Sequence, residues 1–221
     1  MSDKNLRHRP SSDWSKEELK EIYREIVSAV TIPVYSKIEG GQKVLDFSRV
    51  ERILKSASLI VVQDCGCRVE RNNCSSPRDV CISIDGEAAK ILEIGMNNPR
   101  RVGLEEALDK IRKAHEAGLV SMAYQLEGRN RVSPICNCCS CCCHTLSGLL
   151  RFGLARHVLS SDMISQTDRS LCINCGVCGD RCLFGARRLE GGRLVYDPCR
   201  CFGCGLCVST CPKSAIELIE R

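Results

Sequence analysis

Six cysteines occupy eight consecutive positions in the stretch CNCCSCCC, from Cys136 to Cys143. Only Asn137 and Ser140 interrupt them, and no packing requirement calls for six neighbouring thiols. Three kinds of chemistry compete for such a stretch: a metal cluster, a disulfide framework and a redox-reactive thiol patch. Neighbouring thiols point apart whether the octet is helical or a loop. The six are therefore predicted to face two different sites or to divide into ligands and spares.

Two further cysteine runs lie near the C-terminal end of the sequence and repeat each other. Residues 172–186, CINCGVCGDRCLFGA, align with residues 201–215, CFGCGLCVSTCPKSA, at an offset of 29. Both runs read C-x2-C-x2-C-x3-C, and Pro212 follows the second run. Two residues between cysteines let a tight loop wrap three thiolates around three corners of one iron–sulfur cubane, and the glycines in the runs permit the close backbone that this loop needs.

Over residues 167–221 the chain resembles the bacterial ferredoxins with two [4Fe-4S] clusters, in which the fourth cysteine of each run ligates the other cluster. The resemblance implies two crossed ligand sets: Cys172, Cys175, Cys178 and Cys211 for one cluster, and Cys201, Cys204, Cys207 and Cys182 for the other. Leu183 stands where the family has a proline, which predicts a looser turn with no ligand lost. We expect the fourth cysteine of each run to begin a short helix, and RRLEGGRLVYD between the runs to form a hairpin.

Four more cysteines precede the octet, beginning in the sequence DCGCR. With the octet they make ten candidate metal ligands: Cys65, Cys67, Cys74, Cys81, Cys136, Cys138, Cys139, Cys141, Cys142 and Cys143. Ten thiols suffice for two four-cysteine cubanes or for one larger cluster. The octet alone crowds its thiols too tightly to surround a cubane, so both groups are predicted to contribute ligands. Over roughly residues 30–160 this pattern resembles cysteine-rich iron–sulfur proteins of anaerobes, which implies at least one further iron–sulfur cluster but no particular reaction.

Zinc and a thiol switch are the alternatives for these ten cysteines. Zinc would be satisfied by four thiolates and would leave six unexplained. A thiol sensor stays open because vicinal cysteines are redox-active, although no lysine or arginine lies within the octet to lower a thiol pKa. His144 is a further candidate ligand, and Cys199 belongs to neither cysteine system.

Composition places these cysteines in a globular protein. The chain has 221 residues, 19 of them cysteine, and 43% are hydrophobic, which allows one medium domain and one small domain. The opening residues contain no apolar signal sequence, and no run is long enough to span a membrane. We therefore expect a cytoplasmic protein whose thiols stay reduced. The net charge of +5 is expected to compensate cluster charge, about −2 for each oxidised cubane with its four thiolates, so nucleic-acid binding is not expected.

The elements that must position the cysteines are predicted to form an α+β fold. An amphipathic helix is predicted over residues 13–30, with Ser15 and Glu18 as its capping box and Pro33 as its stop. The segment VYSKIEGGQKVLDF then predicts a hairpin that turns at two glycines.

A second helix is predicted to begin at a capping box of Ser48 and Glu51 and to run to about Ala57. The apolar residues 59–62 predict a buried strand that leads into a polar loop carrying Cys65 and Cys67.

A third predicted helix covers residues 104–117 and ends at Gly118. LVSMAYQL, EGRN and RVSPIC then predict a strand, a turn and a strand, and helix plus hairpin together resemble a winged helix. The mixed charges on this helix are more typical of a solvated helix than of a DNA-reading one. After the octet, TLSGLLRFGLARHVL is predicted to be helical.

Three segments follow from these patterns: a polar tail over residues 1–12, a cysteine-rich α/β domain with the winged-helix-like segment over 13–166, and a ferredoxin-like domain over 167–221. The sequence contains no Walker loop, strand-linked GxGxxG or GxSxG, so no catalytic residue is assigned and any hard chemistry belongs to clusters. The prediction is a multi-cluster electron-transfer protein that passes single electrons to or from a partner oxidoreductase. Two rivals stay open: a redox enzyme with the N-terminal cluster as active centre, and a redox-sensing DNA-binding regulator.

Overall fold

The computed structural model describes residues 14–39, 41–128, 132–154 and 158–221. Helix and sheet are mixed, which agrees with the predicted class in this coarse sense. In chain order the elements are α1 (Lys16–Ile22), β1 (Ile26–Thr31), β2 (Tyr35–Glu39), β3 (Gln42–Asp46), α2 (Ser48–Lys55), β4 (Ile60–Gln63), α3 (Gly66–Arg71), β5 (Cys81–Ile84), α4 (Asp85–Ile94), β6 (Arg100–Arg101), α5 (Leu104–Glu116), β7 (Val120–Leu126), β8 (Ile135–Cys138), α6 (His144–Phe152), β9 (Val158–Leu159), β10 (Met163–Thr167), α7 (Val177–Asp180), β11 (Arg187–Glu190), β12 (Arg193–Tyr196), a 3-10 turn (Pro198–Arg200), α8 (Leu206–Thr210) and β13 (Ile216–Glu220).

A seven-stranded sheet forms the centre of the cysteine-rich part, in the order β6-β4-β5-β8-β7-β1-β9. Its neighbouring strands are antiparallel, apart from the parallel pair β1 and β9. Strand β8, which contains the start of the octet, lies in the middle between β5 and β7. Octet residues Cys136, Asn137 and Cys138 pair with β7, and Ile135 just before the octet pairs with Ile82 of β5.

The predicted helix over residues 13–30 is wrong in its second half. Its beginning is confirmed, because Ser15 and Glu18 form both hydrogen bonds of the capping box. The helix ends at Ile22, however, and residues 26–31 pair with β7 as β1. The β-branched residues of IVSAVT favour a strand, and an available sheet edge outweighs their weak helical periodicity.

The next elements agree with their predictions in type and differ in detail. The hairpin β2–β3 is present, and its Gly40 lies outside the described residues. Helix α2 has no side-chain cap of the predicted kind; instead the Asp46 carboxylate accepts hydrogen bonds from the backbone and hydroxyl of Ser48. The buried strand is confirmed as β4.

The prediction of a polar loop at DCGCR is wrong. Cys65 is the N-cap of the short helix α3, and Cys67 lies in its first turn. Cys65 is buried. The thiols of Cys65 and Cys67 are nevertheless within hydrogen-bonding reach of each other, because Cys65 has the extended backbone of an N-cap and does not belong to the helical turn.

Helix α5 and the strands β7 and β8 are present in the predicted order. Both strands lie inside the large sheet, and α5 buries one side, including Lys110 and His115. The winged-helix arrangement stays a prediction. The helix predicted after the octet ends earlier than expected, at Phe152, and residues 158–159 form β9.

The C-terminal part contains two small antiparallel sheets, β10 with β13 and β11 with β12. The hairpin β11–β12 is the predicted one, with Gly191 and Gly192 at its turn. The expectation that the fourth cysteine of each run begins a helix is wrong: α7 and α8 contain the third cysteines, and Cys182 and Cys211 follow them. Strand β10 crosses the predicted domain boundary at residue 167, so that boundary stays a prediction.

Hydrogen bonds connect this part to the cysteine-rich part. The Val34 amide donates to the Cys204 carbonyl over 3.2 Å, and the Ser36 amide donates to the Ser209 hydroxyl over 2.8 Å. Arg181 donates to the carbonyls of His115 and Glu116 at the end of α5. None of the helices in the described ranges is long and apolar enough to cross a membrane.

Candidate metal centres

The octet is divided by its local structure, neither a continuous helix nor a single loop. Cys136 and Cys138 lie in β8, the next four residues form a turn, and Cys143 is the N-cap of α6. Because side chains two apart in a strand share a face, Cys136 and Cys138 point to the same side. The thiols of the octet consequently enter two different groups.

The first group is a ring of six thiols. Each thiol lies within hydrogen-bonding reach of two others, and the contacts close in the order Cys65, Cys67, Cys143, Cys138, Cys136, Cys81 and back to Cys65. Two of the six come from α3 and its N-cap, one is the first residue of β5, and three come from the octet. We call this group the six-thiol ring.

The second group is more compact. The Sγ atoms of Cys74, Cys139, Cys141 and Cys142 all lie within 4.8 Å of one another. The distances from Cys74 to Cys139, from Cys74 to Cys142 and from Cys141 to Cys142 are each 3.9 Å. One thiol comes from the loop after α3 and three come from the octet. We call this group the four-thiol set.

Thiol pKa values within the two groups are strongly perturbed in opposite directions. Hydrogen bonds from Cys67 and Cys81 lower the pKa of Cys65, and those from Cys138 and Cys67 lower that of Cys143. Cys67 lies between these two thiols, and its hydrogen bonds to Cys143 and Cys65 raise its own pKa. In the four-thiol set, hydrogen bonds from the other three thiols lower the pKa of Cys74. Because thiolate is the form that binds metal, the lowered pKa values of Cys65, Cys143 and Cys74 favour metal binding in both groups.

Arg68 lies between the six-thiol ring and the four-thiol set. Only 1% of this arginine is exposed. Its Nη1 donates to the Asn137 carbonyl over 2.8 Å and lies 3.8 Å from the Sγ of Cys139. Burial lowers the pKa of Arg68, but the neighbouring sulfurs of Cys65, Cys81 and Cys139 raise it above its usual value. Its Nε and Nη2 are buried and have no hydrogen-bond partner.

Asn137 holds the backbone between these two groups. Its side-chain amide accepts from Ser121 over 2.7 Å and donates to the Val80 carbonyl over 2.6 Å. Its side chain points away from Cys136 and Cys138, as the alternation of a strand requires. The residue that interrupts the octet therefore fixes the strand that carries two ring thiols.

In the ferredoxin-like part, the eight cysteines of the two runs line two separate pockets. One pocket contains Cys172, Cys175, Cys178 and Cys211, and the other contains Cys182, Cys201, Cys204 and Cys207. Each pocket encloses a cavity of only about 20 Å³. Three cysteines of one run thus meet the fourth cysteine of the other run.

Two glycines let the loop of the second run approach its surroundings. Gly205 has φ +86°, and a Cβ there would lie 2.5 Å from the Val34 carbonyl oxygen. A Cβ at Gly203, which has φ +68°, would lie 2.2 Å from the Met163 carbonyl oxygen. Any other residue would push the cysteine loop away from the strands that support it.

Arg187 lies between the two pockets, as Arg68 lies between the six-thiol ring and the four-thiol set. It is 2% exposed, donates to the hydroxyls of Thr167 and Ser165, and stacks over Tyr196 at 4.3 Å. Burial raises the pKa of Cys207 to about 11, and the guanidinium of Arg187 opposes that rise. Burial also raises the pKa of Cys204 well above its usual range.

Shared hydrophobic packing joins the sites. One buried cluster contains the ring residues Cys138 and Cys143 together with Phe184, and Cys182 and Cys204 of the second pocket pack against it. A second cluster contains Cys178 of the first pocket and Cys207 of the second. The six-thiol ring and both pockets are therefore neighbours in continuous packing.

His144 and Cys199 belong to none of these groups, although His144 directly follows the ring residue Cys143. The Nδ1 of His144 contacts the Thr145 hydroxyl at 3.1 Å, and its ring makes an edge contact with Trp14. Cys199 is exposed and lines neither pocket. Sequence reasoning missed Arg68 and Arg187, although Arg68 directly follows the second cysteine of DCGCR.

Comparisons with known proteins give two local matches. The chain is 43% identical over 47 residues to a protein of Methanosarcina acetivorans named as a subunit of an ion-translocating oxidoreductase complex, a match that covers 21% of this chain and 18% of that protein. It is 46% identical over 50 residues to the PorD subunit of the pyruvate synthase of Thermotoga maritima, covering 21% of this chain and 48% of that protein. The chain thus spans less than half the length of either relative. No family model matches the chain, and no solved structure shows significant similarity to it.

Proposed function

We propose that this chain is a multi-cluster iron–sulfur protein that passes single electrons to or from a partner oxidoreductase. In this proposal the two pockets of the ferredoxin-like part each hold a [4Fe-4S] cluster, and the six-thiol ring holds a further iron–sulfur cluster. Such clusters, when bound, supply reversible one-electron chemistry. The cysteines described above would supply the ligands, the buried hydrophobic residues would exclude water, and the buried arginines would balance the negative charge of the clusters.

The observation that carries the proposal is the composition of the two pockets. Each is lined by four cysteines, three from one run and one from the other, which supports the crossed ligand sets that the ferredoxin resemblance implies. The buried Arg187 offers a positive charge beside both pockets to offset the negative charge of loaded cubanes.

The arrangement of the sites favours a route for electrons through the molecule. Cys175 is exposed at the first pocket, and the nearby apolar side chains of Leu171, Ile173 and Val177 are also exposed. The second pocket and the ring follow inward along continuous packing. A partner that docks at the Cys175 end would exchange electrons with the first pocket.

The six-thiol ring is proposed as the place of the further cluster. The thiol–thiol contacts run around the ring from each thiol to two others, an arrangement that supports a cluster held among all six. The unpartnered Nε and Nη2 of Arg68 are available to donate to cluster sulfur.

The two relatives support an oxidoreductase partner. Both are named as subunits, one of an ion-translocating oxidoreductase complex and one of pyruvate synthase. Both matches have about the length of the ferredoxin-like segment. A role as the electron-transfer part of a larger oxidoreductase assembly is consistent with these names.

The crossed ligation can be tested by pairing cysteine substitutions. We expect Cys211→Ala to remove about four irons per chain from anaerobically purified protein, one cubane's worth. Adding Cys175→Ala should remove no more, because both residues serve one cluster. Adding Cys204→Ala to Cys211→Ala should remove about eight irons in total, twice the content of one cubane. Cys199→Ala serves as the control with full iron content.

The reverse pattern, with Cys211 and Cys204 sharing one loss of iron, would disprove crossed ligation. A preparation that holds zinc without iron or sulfide would disprove the whole proposal. The ring is tested separately: Cys65→Ser with Cys67→Ser should lower iron and sulfide while the electron paramagnetic resonance signals of the two reduced ferredoxin cubanes remain.

A further inference from the structure

The four-thiol set differs in shape from the other cysteine groups. All six pairs among Cys74, Cys139, Cys141 and Cys142 are in contact, as the corners of a tetrahedron are. In the six-thiol ring each thiol contacts only two neighbours. Among the described residues this is the one group of three or more metal-binding side chains whose ligand atoms all lie within 4.8 Å of one another.

The size of the tetrahedron matches a single metal ion. Zinc binds thiolate sulfur at about 2.3 Å, which places the sulfurs of a tetrahedral site ~3.8 Å apart. The three Sγ–Sγ distances of 3.9 Å agree with that edge length. A cubane places four irons and four sulfides between its thiolates, so it would hold the four sulfurs farther apart than these distances.

We propose that the four-thiol set is a structural zinc site, separate from every iron–sulfur centre of the chain. Four cysteines complete the coordination sphere of a structural zinc and leave no position for substrate or water. The ion would therefore hold structure and take no part in catalysis.

The surroundings of the set suit this role. The side-chain amide of Asn73 donates to the Cys141 carbonyl over 2.8 Å, and the Trp14 indole donates to the Cys142 carbonyl over 3.0 Å. These bonds fix the backbone that presents the thiols. Arg68 offsets part of the charge of about −2 that zinc with four thiolates carries.

The site would tie the loop after α3 to the turn of the octet. The thiols of the six-thiol ring flank these two segments, three on each side: Cys65, Cys67 and Cys81 at the ends of the loop, and Cys136, Cys138 and Cys143 at the ends of the turn. A zinc ion would thus keep the two halves of the ring together, and part of its binding free energy would be folding free energy. This inference does not depend on the electron-transfer proposal, because it concerns four cysteines that the proposed clusters do not use.

The test is the metal and sulfide content of the full chain, purified anaerobically from zinc-containing medium. We expect one zinc per chain. Cys74→Ser should lower the zinc content at least tenfold and leave iron and sulfide unchanged. Cys74→His should retain zinc, because three cysteines and one histidine are a common zinc ligand set. Cys199→Ser, which changes an exposed cysteine, should retain all metals.

If the Cys74→Ser variant does not fold, X-ray absorption at the zinc edge of the wild-type protein still tests the proposal. Four sulfur neighbours at about 2.3 Å support the proposal. Zinc absent from the wild-type protein, a first shell of nitrogen or oxygen, or loss of sulfide together with zinc in a folded Cys74→Ser protein would each overturn it. In the last case the electron-transfer proposal would stand, with the four-thiol set as another cluster site.

Discussion

Arg68 is the residue on which both N-terminal thiol groups depend for charge. It contacts Cys139 of the four-thiol set, and its charge acts on Cys65 and Cys81 of the six-thiol ring. A buried cation needs compensating negative charge, which metal-bound thiolates would supply, and these thiolates would lose that compensation if Arg68 were removed. The two unpartnered nitrogens would find acceptors once metal and sulfide are bound.

We therefore expect Arg68→Met to lower both iron and zinc content and to destabilise the loaded protein by about 3 kcal/mol, the usual cost of breaking a buried charge pair. Arg68→Lys should retain part of the metal, because it keeps the charge but has no second nitrogen to donate. Arg52→Gln on the exposed side of α2 is the control. Metal analysis and thermal unfolding check this. Unchanged metal content in Arg68→Met would show that the arginine serves packing alone.

At the scale of elements, the end of α5 packs against the ferredoxin-like part through His115. Its Nε2 lies 2.7 Å from the Ser209 hydroxyl in α8. Burial, followed by the nearby charges of Arg181 and Lys43, lowers the pKa of His115 to about 4. The folded protein thus holds this histidine neutral, because its burial and both neighbouring cations disfavour its charge.

This contact predicts a loss of stability in mild acid. The unfolded chain takes up a proton near pH 6.5, while folded His115 has a pKa of about 4, so stability is full above about 6.5 and falls as the pH approaches 4. The difference corresponds to at most about 3 kcal/mol. His115→Gln keeps a donor for Ser209 but cannot titrate, so its urea midpoint should fall less than that of the wild type between about pH 7.5 and 5. Equal losses in both proteins would contradict the assignment.

The elements that sequence reasoning predicted are those defined by local signals. The β2–β3 and β11–β12 hairpins follow from their glycine turns, and α5 follows from its periodicity and its terminal glycine. Residues 26–31 could not be predicted as a strand, because their partner β7 lies about a hundred residues away and supplies the pairing that decides the conformation.

The same limit applies to the candidate sites. The crossed membership of the two ferredoxin-like pockets was expected from the repeat and its family resemblance, and ligation there remains a prediction. The division of the octet between two groups was foreseen only as one option. Which thiol joins which group depends on β8 lying between β5 and β7, a long-range arrangement that the spacing CNCCSCCC does not encode.

At the scale of the whole molecule, the charge changes sign when the proposed sites are filled. The chain alone carries +5. Two cubanes, each with a charge of about −2, lower the net charge to about +1. A zinc ion with four thiolates lowers it further to about −1, and a cluster in the six-thiol ring is not yet included. The basic residues are therefore expected to balance the clusters and to leave no surplus of positive charge for nucleic acid.

Two measurements follow from this balance. The loaded protein should migrate toward the anode in native electrophoresis at neutral pH, whereas the metal-free chain in urea should migrate toward the cathode. Titration of duplex DNA should show no affinity beyond non-specific binding, roughly 10⁻⁴–10⁻⁶ M at physiological salt. Phosphate contacts release counterions, so a true DNA site would weaken steeply as salt rises. Tight, salt-sensitive binding that changes with cluster oxidation would favour the redox-sensing regulator over the electron carrier. Electron transfer to a partner protein does not require DNA affinity that depends on the oxidation state of the clusters.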